Sequence, residues 1–294
     1  MRSMLLVTAA MLLVGAAPAK KLLTPNDIVA GAPRSAWRTI DPHDLIVIDL
    51  QRGGRVVIQL APDFAPVHVG NIKALAAANY WAGATVYRVQ DDYVVQWGHN
   101  DSNKPWPKGV EPRPPSEYTR SIKGLAIKPL GSPDPYAPGA GFVNGWPVAY
   151  SAKQGWADLV HCYGTVGVGR DLSPDTGAGG ELYAVIGQAP RQLDRNIAIV
   201  GRVIDGIEQF STLPRGTEAL GFYKDKAQYV PIASIRLGSD LPAGEAGYEY
   251  LDTNSNAFAR YLKLRANRRD EFYIRPAGGV DLCNVQVPVR RKAG

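Results

Sequence analysis

The chain has 294 residues, of which 45% are hydrophobic, and its 33 lysines and arginines modestly outnumber its 27 aspartates and glutamates. This length and apolar content are sufficient for one large domain with attachments or for two small ones. Because the basic residues are interleaved with acidic ones, the positive net charge does not indicate a nucleic-acid-binding protein.

The first 19 residues are predicted to be a secretory signal peptide. Arg2 gives a cationic start, residues 4–16 are almost wholly apolar, and the small residues before position 20 predict cleavage after Ala19. The apolar stretch is too short to span a bilayer, and no later stretch has the length and apolarity of a membrane helix. The sequence therefore predicts a periplasmic or secreted protein with no stable membrane insertion after signal cleavage.

The cysteines and histidines show no metal-site pattern. Cys162 and Cys283 lie far apart, and neither has metal-ligand spacing to a histidine, so no metal is expected. In an oxidising compartment the sequence leaves two alternatives open, which are one disulfide or two buried thiols.

The first regular elements are predicted after an N-terminal surface arm at residues 20–40. Leu45–Leu50 and Arg55–Leu60 alternate as two strands of a hairpin that turns at two consecutive glycines. A helix is predicted over residues 66–79, because a proline opens it and apolar residues follow at helical spacing.

A second hairpin is predicted over residues 86–98. In its register Arg88 lies directly opposite Gln96 on one face of the ladder, beside Val86 and Val94. In most hairpins such polar groups are simply exposed to solvent, so the hairpin alone does not identify a site.

Residues 101–160 are predicted to form a long, irregular, Pro-rich insertion. Ten of the 23 prolines lie between residues 101 and 150, and proline fixes the backbone and removes a hydrogen-bond donor. One short strand is expected at residues 122–127. A loop of this length in a compact domain is usually functional or particular to a subgroup.

Regular structure is predicted to resume after the insertion. A short helix is expected to end at Phe210, and a charged amphipathic helix is expected at residues 254–270. Four further strands are expected, at residues 163–169, 181–187, 197–204 and 232–237. About eight short strands and two short helices predict an all-β-dominated fold, in which a closed eight-stranded antiparallel β-barrel is capped by the helices.

Four sequence blocks, in order, carry a resemblance to a known family. The first block is Val-Val-Ile-Gln-Leu-Ala-Pro-Asp-Phe-Ala-Pro-Val from position 56, together with the stretch 80–89, and the second is the hairpin from Tyr-Arg-Val at position 87 to Tyr-Val-Val-Gln-Trp-Gly at position 93. The third block is Gly-Thr-Val-Gly-Val-Gly-Arg from position 164, together with Gly-Glu-Leu-Tyr-Ala-Val-Ile from position 180. The fourth block is Leu-Asp-Arg-Asn from position 193, together with Val-Gly-Arg-Val-Ile-Asp-Gly from position 200. On these blocks, spread over residues 44–238, the chain resembles the cyclophilin family of peptidyl-prolyl cis-trans isomerases. The hairpin is specific because its arginine, glutamine and aromatic residues have the family's spacing.

The resemblance implies roles for individual side chains. Arg88 matches the family's catalytic arginine, Gln96 the glutamine beside it, and Tyr93 an aromatic residue of the proline pocket. The substrate-binding positions, which are a backbone rail and apolar residues around the proline ring, are matched by Val94, Gly169, Arg170, Leu182, Tyr183 and Leu193. The resemblance implies proline-containing polypeptides as partners and no cofactor.

Three residues depart from the family pattern. Gln192 stands where many members have a tryptophan, Ile197 stands where many have a histidine, and Trp97 replaces the first glycine after the matched glutamine. The first two departures imply a changed rim of the proline pocket.

The sequence thus predicts an isomerase that accelerates X-Pro isomerisation during the folding of exported proteins. The expected organisation is a signal peptide at 1–19, an arm at 20–40, a cyclophilin-like domain at 41–240 with its insertion, and a C-terminal helical extension at 241–294. The alternative is a non-catalytic module that binds proline-containing peptides or acts as a chaperone. A small-molecule-binding barrel of the lipocalin type would not explain the spacing of Arg88 and Gln96.

Overall fold

A computed structural model describes residues 22–99, 104–270 and 272–292, so the predicted signal peptide lies outside the described residues. The strands are β1 (Trp37–Thr39), β2 (Leu45–Leu50), β3 (Arg55–Leu60), β4 (Thr85–Val89), β5 (Val94–Gly98), β6 (Arg120–Ser121), β7 (Lys128–Pro129), β8 (Gly139–Val143), β9 (Trp146–Ser151), β10 (Trp156–Leu159), β11 (Thr165–Val168), β12 (Leu182–Val185), β13 (Ile199–Asp205), β14 (Val230–Leu237), β15 (Tyr248–Leu251) and β16 (Val289–Arg291). The α-helices are α1 (Pro25–Ala30), α2 (Pro66–Ala77), α3 (Glu208–Ser211) and α4 (Asn256–Ala266). None of the helices described is long and apolar enough to cross a membrane.

Eight strands close into an antiparallel barrel in the order β11-β12-β5-β4-β14-β2-β3-β13, which confirms the predicted fold class. Alternate residues of each strand point inward, such as Ile46 and Ile48 of β2 and Val56 and Ile58 of β3. Each of these side chains is buried. The barrel is therefore filled by packed side chains, as expected for eight strands.

Two helices close the ends of the barrel, as predicted. α2 follows the C-terminal end of β3 and adds Val69, Ile72 and Leu75 to the interior cluster. α3 lies near the N-terminal end of β3 and adds Phe210, whose ring stacks on Trp97 with 5.0 Å between centroids. Trp97, which departs from the family pattern, thus fills the barrel interior rather than a binding surface.

The insertion contains five short strands where one was predicted for residues 101–160, although most of its described residues lie outside strands, as predicted. Its described part contains a five-stranded antiparallel sheet in the order β6-β10-β9-β8-β7. The strand expected at 122–127 is a turn and loop between β6 and β7. Nine of the ten prolines precede residue 139, so counting prolines over the whole segment obscured the strand-forming stretch 139–159.

The N-terminal and C-terminal segments fold together with this sheet. β15 pairs with β1 on one side and with β16 on the other, and α1 packs on α4. A second hydrophobic core unites Trp37 near the N-terminus, Phe142 of the insertion and Phe258 of α4. Ile28, Ala36 and Trp37 are buried in this core, so part of the predicted surface arm is packed into the fold, whereas Leu22 and Leu23 are exposed.

Cys162 and Cys283 form a disulfide at the edge of this second core. Of the two alternatives left open by the sequence, the structure has the cross-link, which ties the C-terminal segment to the residues before β11. Two smaller apolar clusters, which include Val47, Val57 and Ile199, cover the outer face of β2, β3 and β13. The outer face of β4, β5, β11 and β12 stays available for a groove.

Candidate active site

A groove of about 1000 Å³ lies on the outer face of β4, β5, β11 and β12. Eight of the nine sequence-predicted site residues line it, namely Arg88, Tyr93, Val94, Gln96, Gly169, Arg170, Tyr183 and Leu193. The groove therefore brings together side chains that are separated by up to about one hundred positions along the chain.

Leu182 is the predicted site residue that the structure does not bring to the groove. It is 2% exposed and belongs to the barrel interior. Its neighbour Tyr183 faces the groove, because successive residues of a strand point to opposite sides of the sheet. The resemblance marks both residues, but the strand geometry assigns the pocket to Tyr183.

A β-bulge in β4 changes which side chains accompany the catalytic candidate. Arg88 pairs with Gln96 as predicted, but the register shifts between Val86 and Arg88. Val86 consequently packs in the barrel interior, whereas both Tyr87 and Arg88 line the groove. The prediction that Val86 shares the face of Arg88 is wrong, because strict alternation fails at a bulge.

Three protein acceptors fix the guanidinium of Arg88. Its Nε donates to the carbonyl oxygen of Leu220 at 2.7 Å, Nη1 to Gln96 Oε1 at 2.9 Å, and Nη2 to Gln90 Oε1 at 2.6 Å. A guanidinium has two N–H groups on each terminal nitrogen. Among the contacts within the described residues, one N–H on each of Nη1 and Nη2 is thus left for a ligand.

The carbonyl that holds Arg88 Nε is presented by a strained backbone. Leu220 has a φ of 58°, in the left-handed region that leucine rarely adopts. Gly221 follows with a φ of 79°, and a Cβ on it would lie 2.5 Å from the Cα of Gln90. Backbone strain is therefore located where it aims an acceptor at the catalytic candidate.

Arg88 is a cation in a partly desolvated environment. Burial lowers the pKa of the Arg88 guanidinium below its ordinary value, and Tyr93 and Tyr87 act in the opposite direction. An arginine in a protein nevertheless stays charged. The guanidinium packs over the ring of Phe222 at 5.4 Å, and its hydrogen-bond acceptors in the described residues are neutral groups. The site thus offers a permanent cation whose charge no bonded carboxylate neutralises.

Gln96 is oriented by residues that sequence reasoning missed. Its Nε2 donates to the Tyr87 hydroxyl at 2.6 Å and to Glu181 Oε2 at 3.1 Å, which leaves Oε1 to accept from Arg88. The Tyr87 hydroxyl also donates to Glu181, and burial followed by the Glu181 charge raises the pKa of Tyr87. Glu181 lies two positions before Tyr183 and therefore on the same face, which is the signal that could have identified it.

An apolar pocket lies beside Arg88 in the groove. Tyr183 is 5% exposed and packs with Val94, Tyr93 and Ile197, and burial raises the pKa of its hydroxyl. Leu193 lines the same groove, whereas Gln192 is exposed and does not. The changed rim therefore contains Ile197 but no side chain from position 192.

Gly169 and Arg170 form one edge of the groove. A Cβ on Gly169 would lie 3.2 Å from Gln96 Nε2, so a larger residue would crowd that amide. The Nε and Nη2 of Arg170 donate to the carbonyl oxygen of Asn196 at 3.1 and 2.9 Å, so its side chain braces the edge. Their role as a backbone rail for a peptide stays a prediction. No group of three or more metal-ligating side chains was found among the residues described.

Known proteins resemble this chain at the level of family and of fold. Residues 45–236 match the family model described as cyclophilin type peptidyl-prolyl cis-trans isomerase/CLD. Two proteins named probable peptidyl-prolyl cis-trans isomerase, from Brucella suis and Brucella abortus, are 24% and 23% identical over 179 residues, which cover 61% of this chain and 76% of theirs. The crystal structure of cyclophilin AquaCyp293 from Hirschia baltica matches with a TM-score of 0.69 at 22% identity, over 92% of this chain and 98% of that one. This match of folds covers more of the chain than the family model does and so includes accessory segments as well as the barrel.

Proposed function

Because the chain belongs to the cyclophilin-type peptidyl-prolyl cis-trans isomerase family, we propose that its groove isomerises X-Pro bonds of polypeptides that fold after export. The enzyme class is that of the family. The observation that carries the assignment to this groove is the guanidinium of Arg88, which three acceptors fix beside an apolar pocket while donors remain for a ligand.

Isomerisation is slow because rotation of the X-Pro bond breaks amide resonance, against a barrier of about 18–20 kcal/mol. In the twisted state the prolyl nitrogen becomes pyramidal and regains a lone pair that can accept a hydrogen bond. A charged donor at this position stabilises the twisted state more than either planar state, and such differential binding lowers the barrier. Arg88 is this donor.

The other residues of the groove supply position. Tyr183, Val94 and Leu193 bury the proline ring, which holds one side of the bond while the other side rotates. Gln96 accepts from Arg88 Nη1 and so fixes the orientation of the guanidinium before the substrate binds. A preorganised donor in a partly buried site needs no rearrangement during the reaction. The chemistry needs no proton transfer and no covalent intermediate.

Export is supported by two independent features. The first 19 residues have the charge, apolar length and small terminal residues of a signal peptide. The disulfide between Cys162 and Cys283 fits an oxidising compartment. We therefore propose a periplasmic or secreted enzyme whose substrates are unfolded or folding exported proteins that contain proline.

Isomerisation of an X-Pro peptide by the mature protein, without and with Arg88→Ala, tests the catalytic part. Removing one preorganised donor should cost about 2.7–4 kcal/mol, or roughly 10²–10³ in rate. Arg52→Ala is the matched control, because Arg52 is exposed and also donates to a carbonyl oxygen, that of Gln209 at 3.0 Å, away from the groove. Equal rates for wild type and Arg88→Ala would overturn the role of Arg88. Peptide binding without turnover by the wild type would instead support the non-catalytic module.

A further inference from the structure

A buried histidine holds the floor of the apolar pocket from behind. The hydroxyl of Tyr183 lies 2.8 Å from His161 Nε2, and the two rings are nearly parallel, with 10° between their planes. Gly167 pairs with Tyr183 on the neighbouring strand, and a Cβ on Gly167 would lie 2.3 Å from the Tyr183 hydroxyl oxygen. The ring of Tyr183 is therefore kept in place both by a hydrogen bond and by close packing on bare backbone.

Asp194 orients His161. One carboxylate oxygen of Asp194 accepts from the His161 backbone N–H at 2.9 Å and lies 2.8 Å from Nδ1. His161 Nδ1 and Nε2 thus lie within hydrogen-bond distance of Asp194 and of the Tyr183 hydroxyl, and these two contacts fix the direction of the ring. Both His161 and Asp194 are buried, so this polar chain is shielded from competing water.

Arg191 links Asp194 to the Pro-rich insertion. Its Nε donates to Asp194, and its Nη1 and Nη2 donate to the two oxygens of Asp134 at 2.9 and 3.1 Å. The side chains of Arg191 and Asp134 are 4% and 1% exposed. Although burial opposes it, the bonds to both carboxylates raise the pKa of Arg191 above its ordinary value. The ring of Tyr136, also in the insertion, packs on the same guanidinium at 4.9 Å.

The same arginine also sets one wall of the pocket. Arg191 begins the 3-10 turn Arg191–Leu193, which carries Leu193 to the groove. A bidentate arginine–carboxylate pair has a well-defined geometry. Removing one partner of a buried pair leaves a charge without compensation. Asp134 therefore fixes the turn that places Leu193 at one wall of the pocket. Through Arg191 and Asp194 it also supports His161, which holds Tyr183 at the floor of the pocket.

We propose that the insertion is a brace for the proline pocket and that Asp134 and His161 are positioning residues of the isomerase. The proposal rests on the proposed function, because it concerns how the pocket grips the proline ring during rotation. Neither residue lines the groove, so each acts through others: His161 through Tyr183, and Asp134 through Arg191 and Asp194. This gives the insertion a role in substrate binding without substrate contact.

The test compares Asp134→Asn, Tyr183→Phe and the double variant in the mature protein. Asp134→Asn should lower kcat/KM for an X-Pro peptide about five- to tenfold, mainly by raising KM, because the ring is gripped less well while Arg88 is unchanged. The loss in the double variant should be smaller than the product of the two single losses, since members of one network are not independent. An unchanged kcat/KM in Asp134→Asn, or losses that multiply, would overturn the brace.

The control is Asp49→Asn, which breaks an ion pair on the far side of the barrel. Asp49 lies on β2, a strand that does not line the groove. Its carboxylate accepts from Arg55 Nε at 2.7 Å and from Arg236 Nη2 at 2.8 Å. All rates are measured below the unfolding transition of each variant. Asp49→Asn should keep the wild-type kcat/KM, and an equal loss in this variant would overturn the brace by showing a general effect of lost stability.

Peptide affinity, measured by calorimetry on the same variants, separates the brace from the proposed function. If the wild type binds an X-Pro peptide without turnover, the proposed function fails, and the affinity ratio still decides the brace. A weaker affinity in Asp134→Asn supports it, and an unchanged affinity overturns it. Should Asp134→Asn not fold, Tyr183→Phe removes a single oxygen from the relay, and wild-type KM and affinity in this variant overturn the proposal.

Discussion

Glu181 determines which way the amide of Gln96 faces, and Glu181→Gln tests that determination. Glu181 Oε2 accepts from Gln96 Nε2 at 3.1 Å, while Gln96 Oε1 accepts from Arg88 at 2.9 Å. A carboxylate only accepts, so it enforces this orientation, whereas a glutamine of the same shape can also donate. In the variant the amide of Gln96 can turn over and present its N–H groups to the guanidinium, so Arg88 loses part of its fixed direction.

The contacts around Gln96 set the size of the effect. A hydrogen bond to a charged group contributes about 1.5–3 kcal/mol. In the turned-over amide Gln96 Oε1 faces the Tyr87 hydroxyl in place of Nε2, and Arg88 keeps the carbonyl of Leu220, so the lower end applies. We expect a loss of about 1.5 kcal/mol, which corresponds to roughly tenfold in kcat/KM and is carried by kcat.

Exchange NMR on a short X-Pro peptide measures this rate without a coupling protease. Glu208→Gln is the control, because Glu208 is an exposed glutamate of α3 outside the groove, and its rate should equal that of the wild type. A rate for Glu181→Gln within twofold of the wild type would refute the reasoning. A tenfold loss that persists in the Arg88→Ala background would show that Glu181 acts by another route.

Two further predictions concern stability. Burial, and after it the charge of Asp194, raises the pKa of Asp158 from 3.8 to about 8, and neither of its carboxylate oxygens has a hydrogen-bond partner within the described residues. Between these two pKa values the folded chain keeps a proton on Asp158 that the unfolded chain releases. The stabilisation from the neutral carboxyl group is therefore complete below the unfolded pKa and is lost as the pH rises through about 8. The Tm of Asp158→Asn should exceed that of the wild type by a margin that grows from acidic to alkaline pH, and parallel pH profiles of Tm would contradict this. Cys162 and Cys283 are separated by 121 positions, so the double serine variant should lose about 4–5 kcal/mol of unfolding free energy in denaturant titrations, and a loss below about 1 kcal/mol would contradict a disulfide that restrains the unfolded chain.

The barrel and its central hairpin were predictable because their signals are local. Glycine turns, period-two alternation and helical spacing each extend over a few residues, and they located the barrel strands and both capping helices. The pairing of Arg88 with Gln96 follows from the turn between them. The same local logic failed at Val86 and Leu182, because one bulge and one strand parity decide which side chain reaches the groove.

The accessory structure was not predictable, because its parts are distant in sequence. Trp37, Phe142 and Phe258 come from the N-terminal segment, the insertion and the C-terminal helix, and none of these segments buries its apolar face alone. The contact of Arg191 with Asp134 joins residues 57 positions apart, and no local pattern announces it. The insertion contained both a sheet and a site support, and its prolines were informative only about the stretch before residue 139.

The insertion supports the proline pocket next to the position where the pocket rim departs from the family pattern. Position 192, where the resemblance leads one to expect a tryptophan, holds a glutamine that is exposed and does not line the groove. The proline ring thus loses the apolar contact area that a large aromatic residue would provide, at about 25 cal/mol for each Å² of contact. Binding can recover when fewer groups must be ordered on association, because a preorganised pocket has less conformational freedom to lose. Arg191, the residue next to Gln192, is held by Asp134 of the insertion, so the support enters at the point where the rim is reduced.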